Sequence, residues 1–274
     1  MSLYVGSQRV NSVYVGSREV KRIYVGSALT YESSVDLSTL FTAETDGVWL
    51  DMSDVTTLLR EDGSPVAADG DVVATVVDKS GKGHNATQAV AAKRPIYRTD
   101  GSSHWLEFDG VDDDFTIGNV SFMNNRPYTV VSPVLITQDV TWSMVFGTNV
   151  IAGGTNTSSN VELGYRESAT GATTIFHGSD NANYWNTGAI PHNEIKTLTF
   201  MFHNPGGSTW RDGLLIGTGT YPQALDEVNE GFVGSSSALS SRYFRGRIYG
   251  LFLINRELTD DERRYVEGRV AMRM

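Results

Sequence analysis

The sequence predicts an all-β protein: an antiparallel β-sandwich preceded by a small β-repeat segment and closed by one C-terminal α-helix. Two observations carry this. From Val48 onward, short runs of β-branched and aromatic residues alternate with Asp/Gly and Gly/Ser turns, giving ten or more strands at the spacing of a sandwich. Near the C-terminus, Thr259 and Glu262 form a capping box, Asp260 and Asp261 suit the positive end of a helix, and Val266 and Val270 lie one turn apart. The 28 glycines, 7 prolines and 10% aromatic residues of the 274-residue chain fit many strands joined by tight turns.

The chain opens on "LYVGSQRVNS", "VYVGSREVKR" and "IYVGSALTYE", one ten-residue motif written three times over residues 3–32. Turn chemistry recurs at Gly6-Ser7, Gly16-Ser17 and Gly26-Ser27, with strand-forming residues between. Alternation puts Val10 and Tyr14 on one face and Val13 and Val15 on the other. The expectation is a small meander of three or four strands. So small a sheet buries little apolar surface alone, so it is expected to pack on other copies or on a partner. Residues 1–32 are therefore read as an attachment and oligomerisation segment, with Tyr4, Val5, Tyr14, Val15, Tyr24 and Val25 at the contact.

Residues 33–47 read as a linker with a short helix begun near Ser34 or Asp36, and residues 48–274 as the main domain, its terminal helix spanning 259–272. In "HWLEFDGVDDDFTIG", Trp105 and Glu107 alternate with Leu106 and Phe108 before a turn at Asp109-Gly110. "IKTLTFMFHN" to "WRDGLLIGTGT" reads as a hairpin with Asp212-Gly213 at its tip. "RYFRGRIYGLFLINREL" reads as one long strand in which Ile248, Gly250, Phe252 and Ile254 share a face.

Composition narrows the function. A net charge of −10 and a pI near 4.9 argue against a broad nucleic-acid footprint. With no cysteine there are neither disulfides nor thiolate metal sites. No apolar run approaches the roughly 20 residues of a membrane helix, so no membrane insertion is expected. The N-terminus lacks a basic stretch followed by an apolar core, so no secretion signal is expected and synthesis is placed in a reducing cytosol.

Taken in order, "VWLDMSD", "VVDKSGKGHNATQ", "WLEFDGVDD", "LTFMFHNPGGSTWRDGLLIGTG" and "FRGRIYGLFLINRELTDDERRYVE" resemble the concanavalin A-like, laminin-G-like jelly-roll superfamily over about residues 48–270. The resemblance implies that the sandwich is a jelly roll. The wording "DKSGKGHNATQ…RPIYRTDG…LEFDGVDD", together with the YVGS repeats, also resembles tail-associated and other virion proteins of tailed bacteriophages. That implies a virion structural protein whose jelly roll faces outward and touches host glycans.

Glycosidases of this superfamily carry E-x-D-x-x-E or E-x-D-x-E along one strand. Here "ALDEVNEG" has Asp226 and Glu230 but Ala224 in the place of the first glutamate, and it reads as a connecting loop. There is no G-x-S-x-G, and the five histidines are scattered. The chain is therefore expected not to be an enzyme. Asp78, Asp109 and Asp112, with Asp113 and Asp114 beside them, are oxygen donors of the kind calcium takes, although their spacing is not that of an EF-hand and turn formation is the preferred reading. For sugar binding, "HGSDNANYWNTG" offers the aromatic planes of Tyr184 and Trp185 amid Asp180, Asn181, Asn183 and Asn186. In the competing reading Trp185 closes the end of the sandwich. Trp49, Trp105 and Trp142 lie in strand-like stretches and are assigned to the core.

The expectation that follows is a non-enzymatic virion protein, a tail fibre, tail tip or receptor-binding subunit presenting a lectin-like domain to host surface glycans. A capsid decoration or head-fibre protein is the alternative, and a polysaccharide-cleaving glycoside hydrolase a further one. Expected partners are other virion proteins through the N-terminal segment and further copies of the chain, a trimer by family resemblance. No cofactor is expected, calcium at the aspartates excepted. The expected location is the virion, assembled in the host cytoplasm.

Overall fold

The computed structural model describes residues 36–271 apart from 125–126, 138–142, 150–160, 166–173, 178–183, 187–189, 204–205, 221–227 and 237–241, and before residue 36 only six short strands. The chain divides into two compact units, residues 1–39 and 40–274.

The first unit holds β1 (Tyr4–Val5), β2 (Gln8–Arg9), β3 (Val13–Val15), β4 (Arg18–Val20), β5 (Arg22–Val25) and β6 (Ala28–Glu32). These strands make three separate two-stranded sheets, β1-β2, β3-β4 and β5-β6, not the expected meander. The pairs Val5↔Gln8, Val15↔Arg18 and Val25↔Ala28 each enclose one Gly-Ser dipeptide. Two residues beginning with glycine suffice for a hairpin loop, so each repeat closes on itself before it can pair with the next. Asp36 then opens a 3-10 turn over Leu37–Leu40, its carboxylate accepting the Ser38 amide at 3.1 Å.

In the second unit, β7 (Gly47–Asp51) leads through β8 (Leu58–Leu59), β9 (Thr75–Val76) and β10 (Ala86–Thr87) to β11 (Ile96–Thr99) and β12 (His104–Asp109). Next come β13 (Phe115–Gly118), β14 (Tyr128–Ile136), β15 (Ser143–Thr148), β16 (Val161–Tyr165), β17 (Thr174–His177) and β18 (Tyr184–Asn186). The remaining strands are β19 (Ile195–His203), β20 (Gly206–Arg211), β21 (Leu214–Thr220), β22 (Glu230–Val233), β23 (Arg245–Ile248) and β24 (Gly250–Ile254). Helix α1 (Asp260–Ala271) follows them.

Two antiparallel nine-stranded sheets form the sandwich. Sheet I runs β18-β17-β16-β15-β22-β13-β10-β9-β8, and sheet II runs β11-β12-β23-β14-β19-β20-β21, with β24 joining β14 to β7. Between them lies one apolar cluster. Leu106, Phe108, Val130, Phe200 and Leu253 come from sheet II, and Val76, Ala86, Phe115, Phe146, Leu163 and Val233 from sheet I. Phe108 meets the edges of both Phe115 and Phe244, with ring centroids 6.3 and 6.0 Å apart.

Local signals set several elements. The capping box forms as the sequence predicts: Glu262 N–H donates to Thr259 Oγ1 at 3.3 Å, and Thr259 N–H to Glu262 Oε2 at 2.9 Å. Asp212 and Gly213 both have positive φ, 51° and 78°, which suits the tight turn joining β20 to β21. That hairpin is one of two, because β19 also pairs with β20. Helix α1 packs on β14, β19 and β24. There its buried Arg263 donates to Glu267 at 2.7 Å and stacks over Trp210 at 4.7 Å.

The long closing strand is broken. Val134 pairs with Ile248 and Val131 with Phe252, so the closing strand carries one residue more than β14 between these two pairs. This β-bulge lies opposite Pro133, which has no N–H to give a ladder; Pro133 O instead accepts the Tyr249 amide at 3.0 Å, and Ser132 Oγ donates to Gly250 O at 2.7 Å. The extra residue inverts the alternation. Ile248 faces the inter-sheet core with Leu251 and Leu253, while Phe252 falls on the other side, which corrects the expected shared face. Among the described residues no helix is long and apolar enough to cross a membrane.

Candidate functional site

The aspartate-rich stretch is a crossover from β12 in sheet II to β13 in sheet I. Gly110, at φ 76°, presses the turn onto β23, where a Cβ would lie 2.6 Å from Arg245 Cβ. Asp109 Oδ1 accepts the amides of Val111 and Asp112, and Asp113 Oδ2 accepts that of Asp109 at 3.0 Å. The carboxylates of Asp109, Asp112 and Asp113 come within 4.8 Å of one another. Asp113 is only 6% exposed, and burial, with the charges of Asp109, Asp112 and Asp114 adding to it, pushes its carboxyl up to about 6 against the pull of the Asp109 amide. Asp114 is raised by burial as well, and is held in place by Ser235 Oγ at 2.8 Å and by Gln88 Nε2. Three hard oxygen donors at this distance fit a cation such as calcium.

Asp78 lies outside that group. Its Oδ1 accepts the amides of Trp49 and Ser80, and its Oδ2 accepts Ser80 Oγ and the His84 amide. These bonds tie the loop after β9 to β7, so Asp78 acts as a turn residue and Asp113 stands beside Asp109 and Asp112 instead. Its adjacency in "DGVDDD" was the available signal.

The outer face of sheet I carries two polar features with no motif in the sequence. Val161, Leu163 and Tyr165 point into the core, so Glu162 faces outward, yet it is 1% exposed. Gly147, its register partner, has no Cβ to block the segment above; one would lie 2.8 Å from Ser235 O. That segment therefore lies on the sheet, where Ser236 and Arg242 both donate to Glu162. Burial raises the Glu162 carboxyl, and Arg242 and Ser236 oppose the shift.

At the β8 end of the same sheet is a groove of about 290 Å³, walled by the 60–63 turn and the segment after β10. Val76 and Ala86 belong to the core, so Thr75 and Thr87, paired across β9 and β10, form the floor. Arg94, 8% exposed, donates to the carbonyls of Gln88 and Ala89 at 2.8 and 3.0 Å and to Glu61 Oε2 at 3.1 Å. Arg60 donates to Ser64 Oγ at 2.8 Å.

Of the residues expected to bind sugar, Asp180 and Asn183 lie outside the described residues. Tyr184 and Trp185 form β18, the edge of sheet I, where only their backbone pairing with Phe176 and Ile175 is described. For Tyr4, Val5, Tyr14, Val15, Tyr24 and Val25 likewise only the strands are described. Asp226 is outside the described residues, and Glu230 opens β22 as an exposed residue. Trp49 and Trp105 are buried, but on the outer face of sheet II rather than between the sheets. Lys79 covers the first at 4.7 Å and Arg247 the second at 4.4 Å.

Two antiparallel sheets packed face to face and closed by a terminal helix place the protein among the jelly-roll β-sandwiches. The chain belongs to the concanavalin A-like lectin/glucanases superfamily, whose family model matches residues 109–262. No curated protein sequence matches it. Among solved structures it is similar to a Trypanosoma rangeli sialidase, with 15% identity and a TM-score of 0.57 over 90% of this chain and 36% of that one. Domain 4 of an extracellular GH43 arabinanase from Geobacillus stearothermophilus, in complex with arabinotriose, matches at 15% identity and a TM-score of 0.55, over 82% of this chain and 99% of that domain. The receptor-binding domain of botulinum neurotoxin D matches at 12% identity and a TM-score of 0.53, over 81% of this chain and 52% of that one. This chain thus spans about a third of the sialidase.

These neighbours correct the expectation that the chain is not an enzyme. About a third of a sialidase and one domain of a GH43 arabinanase share its fold, so the missing E-x-D-x-x-E spacing does not by itself exclude a place in a glycan-cleaving protein. At these identities the likeness carries the fold alone.

Proposed function

We propose that the sandwich binds a glycan and that residues 1–32 attach it to a larger particle. The observation that carries this reading is the pairing of a lectin/glucanase-family sandwich with a separate unit of three short hairpins. Isolated two-stranded hairpins are marginal in water, so these gain stability from further copies of the chain, as a trimer, or from a partner protein. The sequence resemblance supports a tailed-phage virion, assembled in the host cytoplasm, as the setting. Tail fibre or tip is the preferred position and capsid decoration or head fibre the alternative. Many copies on one particle turn weak single-site binding into avidity for a host surface. Calcium at Asp109, Asp112 and Asp113 would neutralise the crowded carboxylates and stiffen the crossover. The arabinanase-domain neighbour, in complex with arabinotriose, supports a saccharide ligand, and glycan cleavage is the second reading that the two hydrolase neighbours favour.

A chain lacking residues 1–32 tests the division of labour. It should fold, bind host-surface polysaccharide with single-site affinity and fail to join particles; incorporation of the shortened chain would overturn the attachment role. Release of reducing ends from the same polysaccharide is the readout for cleavage.

A further inference from the structure

We infer that the groove at the β8 end of sheet I is a binding subsite for a neutral saccharide; this rests on the glycan-binding reading above and gives it a place and a ligand class. At about 290 Å³ the groove lies at the lower end of small-molecule sites, room for roughly one or two sugar rings. It offers both hydrogen-bonding senses that a polyol needs. Thr75 and Thr87 stand side by side on a rigid sheet, and neighbouring strands hold their hydroxyls at a fixed spacing.

Glu61 supplies the acceptor at the lip. It is an exposed side chain, and exposed glutamates are ordinarily free to rotate, but the buried guanidinium of Arg94 holds this one at 3.1 Å. Arg94 is itself pinned by two backbone carbonyls, so the acceptor is positioned before any ligand arrives. Gln88 is fixed as well, its amide donating to Asp114 and its oxygen accepting the Val90 amide at 2.9 Å.

Charge selects the class. Arg94 is matched by Glu61. Arg60 reaches an acid through Ser64, whose hydroxyl accepts from the Arg60 guanidinium at 3.1 and 2.8 Å and donates to Asp62. With Arg94 paired to Glu61, Arg60 engaged by the Ser64 hydroxyl that also holds Asp62, and a chain of net charge −10 around them, the groove favours an uncharged sugar over a carboxylated one.

Saturation-transfer NMR on the full chain tests this with arabinotriose, xylotriose and cellotriose as neutral probes and sialic acid as the acidic one, each at about 10 mM. At least one neutral trisaccharide should bind with a dissociation constant of about 1 mM. Thr87→Trp, which fills the groove from an exposed position, should abolish that signal. Thr75→Val with Thr87→Val should weaken binding about tenfold while preserving strand-forming side chains. Thr218→Val, on sheet II, should leave it unchanged. Binding that survives both groove variants overturns the subsite and leaves glycan binding by the sandwich standing. A sialic acid signal lost in Thr87→Trp overturns the neutral class. Silence from every probe overturns the subsite and the glycan reading together.

Discussion

Replacing Asp113 by Asn should make the protein more stable at neutral pH. The native carboxyl sits at about 6 against an ordinary 3.8, a rise of about two units, and each unit corresponds to about 1.4 kcal/mol. Because the folded value is raised, the folded state holds the proton more tightly than the unfolded chain. Below about pH 4 both states are protonated and nothing is lost. Between about pH 4 and 6 stability falls as the folded carboxyl is forced to ionise, and above 6 the whole penalty, about 3 kcal/mol at most, is in place. Asn stays neutral throughout and its Oδ1 can still accept the Asp109 amide. Asp113→Asn should therefore match wild type at pH 4 and exceed it at pH 7.5, raising Tm by roughly 5–10 °C for a domain of this size. The assay is thermal unfolding across pH 4–7.5 with EDTA, reading the difference between the two proteins so that other carboxylates cancel. Equal Tm values at pH 7.5, or a gap that persists at pH 4, would refute the reasoning.

Other outcomes follow from the same structure. Arg242→Met leaves the Glu162 carboxylate buried beside Ser236 alone and should cost about 3–5 kcal/mol in urea unfolding. Adding Glu162→Gln to that variant should recover most of the loss, since the uncompensated charge is then gone. Thr259→Ala removes one half of the capping box and should cost about 1 kcal/mol by the same measurement, with the sandwich core intact. Calcium at millimolar concentration should raise the Tm of wild type more than that of Asp113→Asn, and an equal response in both would remove Asp113 from the cation site.

Much of the fold was legible because its signals are short-range. Thr259 and Glu262 are three residues apart, and Arg256, which also donates to the Glu262 carboxylate at 2.9 Å, is only six away, so the cap needs no distant part of the chain. The alternation in β12 separated Leu106 and Phe108, which face the inter-sheet core, from Trp105 and Glu107 on the other face, although it did not say which pair would face inward. Asp212-Gly213 marked its turn because those two residues tolerate positive φ. Where prediction failed, a distant residue decided. The face reversal between Ile248 and Phe252 depends on Pro133, more than a hundred positions earlier, which lacks the N–H that a regular ladder requires. Three YVGS units looked like one meander because a repeat period does not say whether a strand pairs with the previous turn's partner or the next.

The candidate sites divide in the same way. By itself the sequence determined the strand-rich class, the terminal helix, the repeat and the crowding of carboxylates after β12, since each depends on residues a few positions apart. Only the tertiary structure decided which carboxylates matter. It placed Asp78 against amides of Trp49, Ser80 and His84, put Asp113 with Asp109 and Asp112, and brought Arg242 to Glu162 across 80 positions. The groove is likewise built from three stretches, within residues 59–63, 74–75 and 87–94, that become neighbours only when β8, β9 and β10 pair. Burial and charge balance at such a place are sums over side chains from separate strands, and no window along one strand contains them.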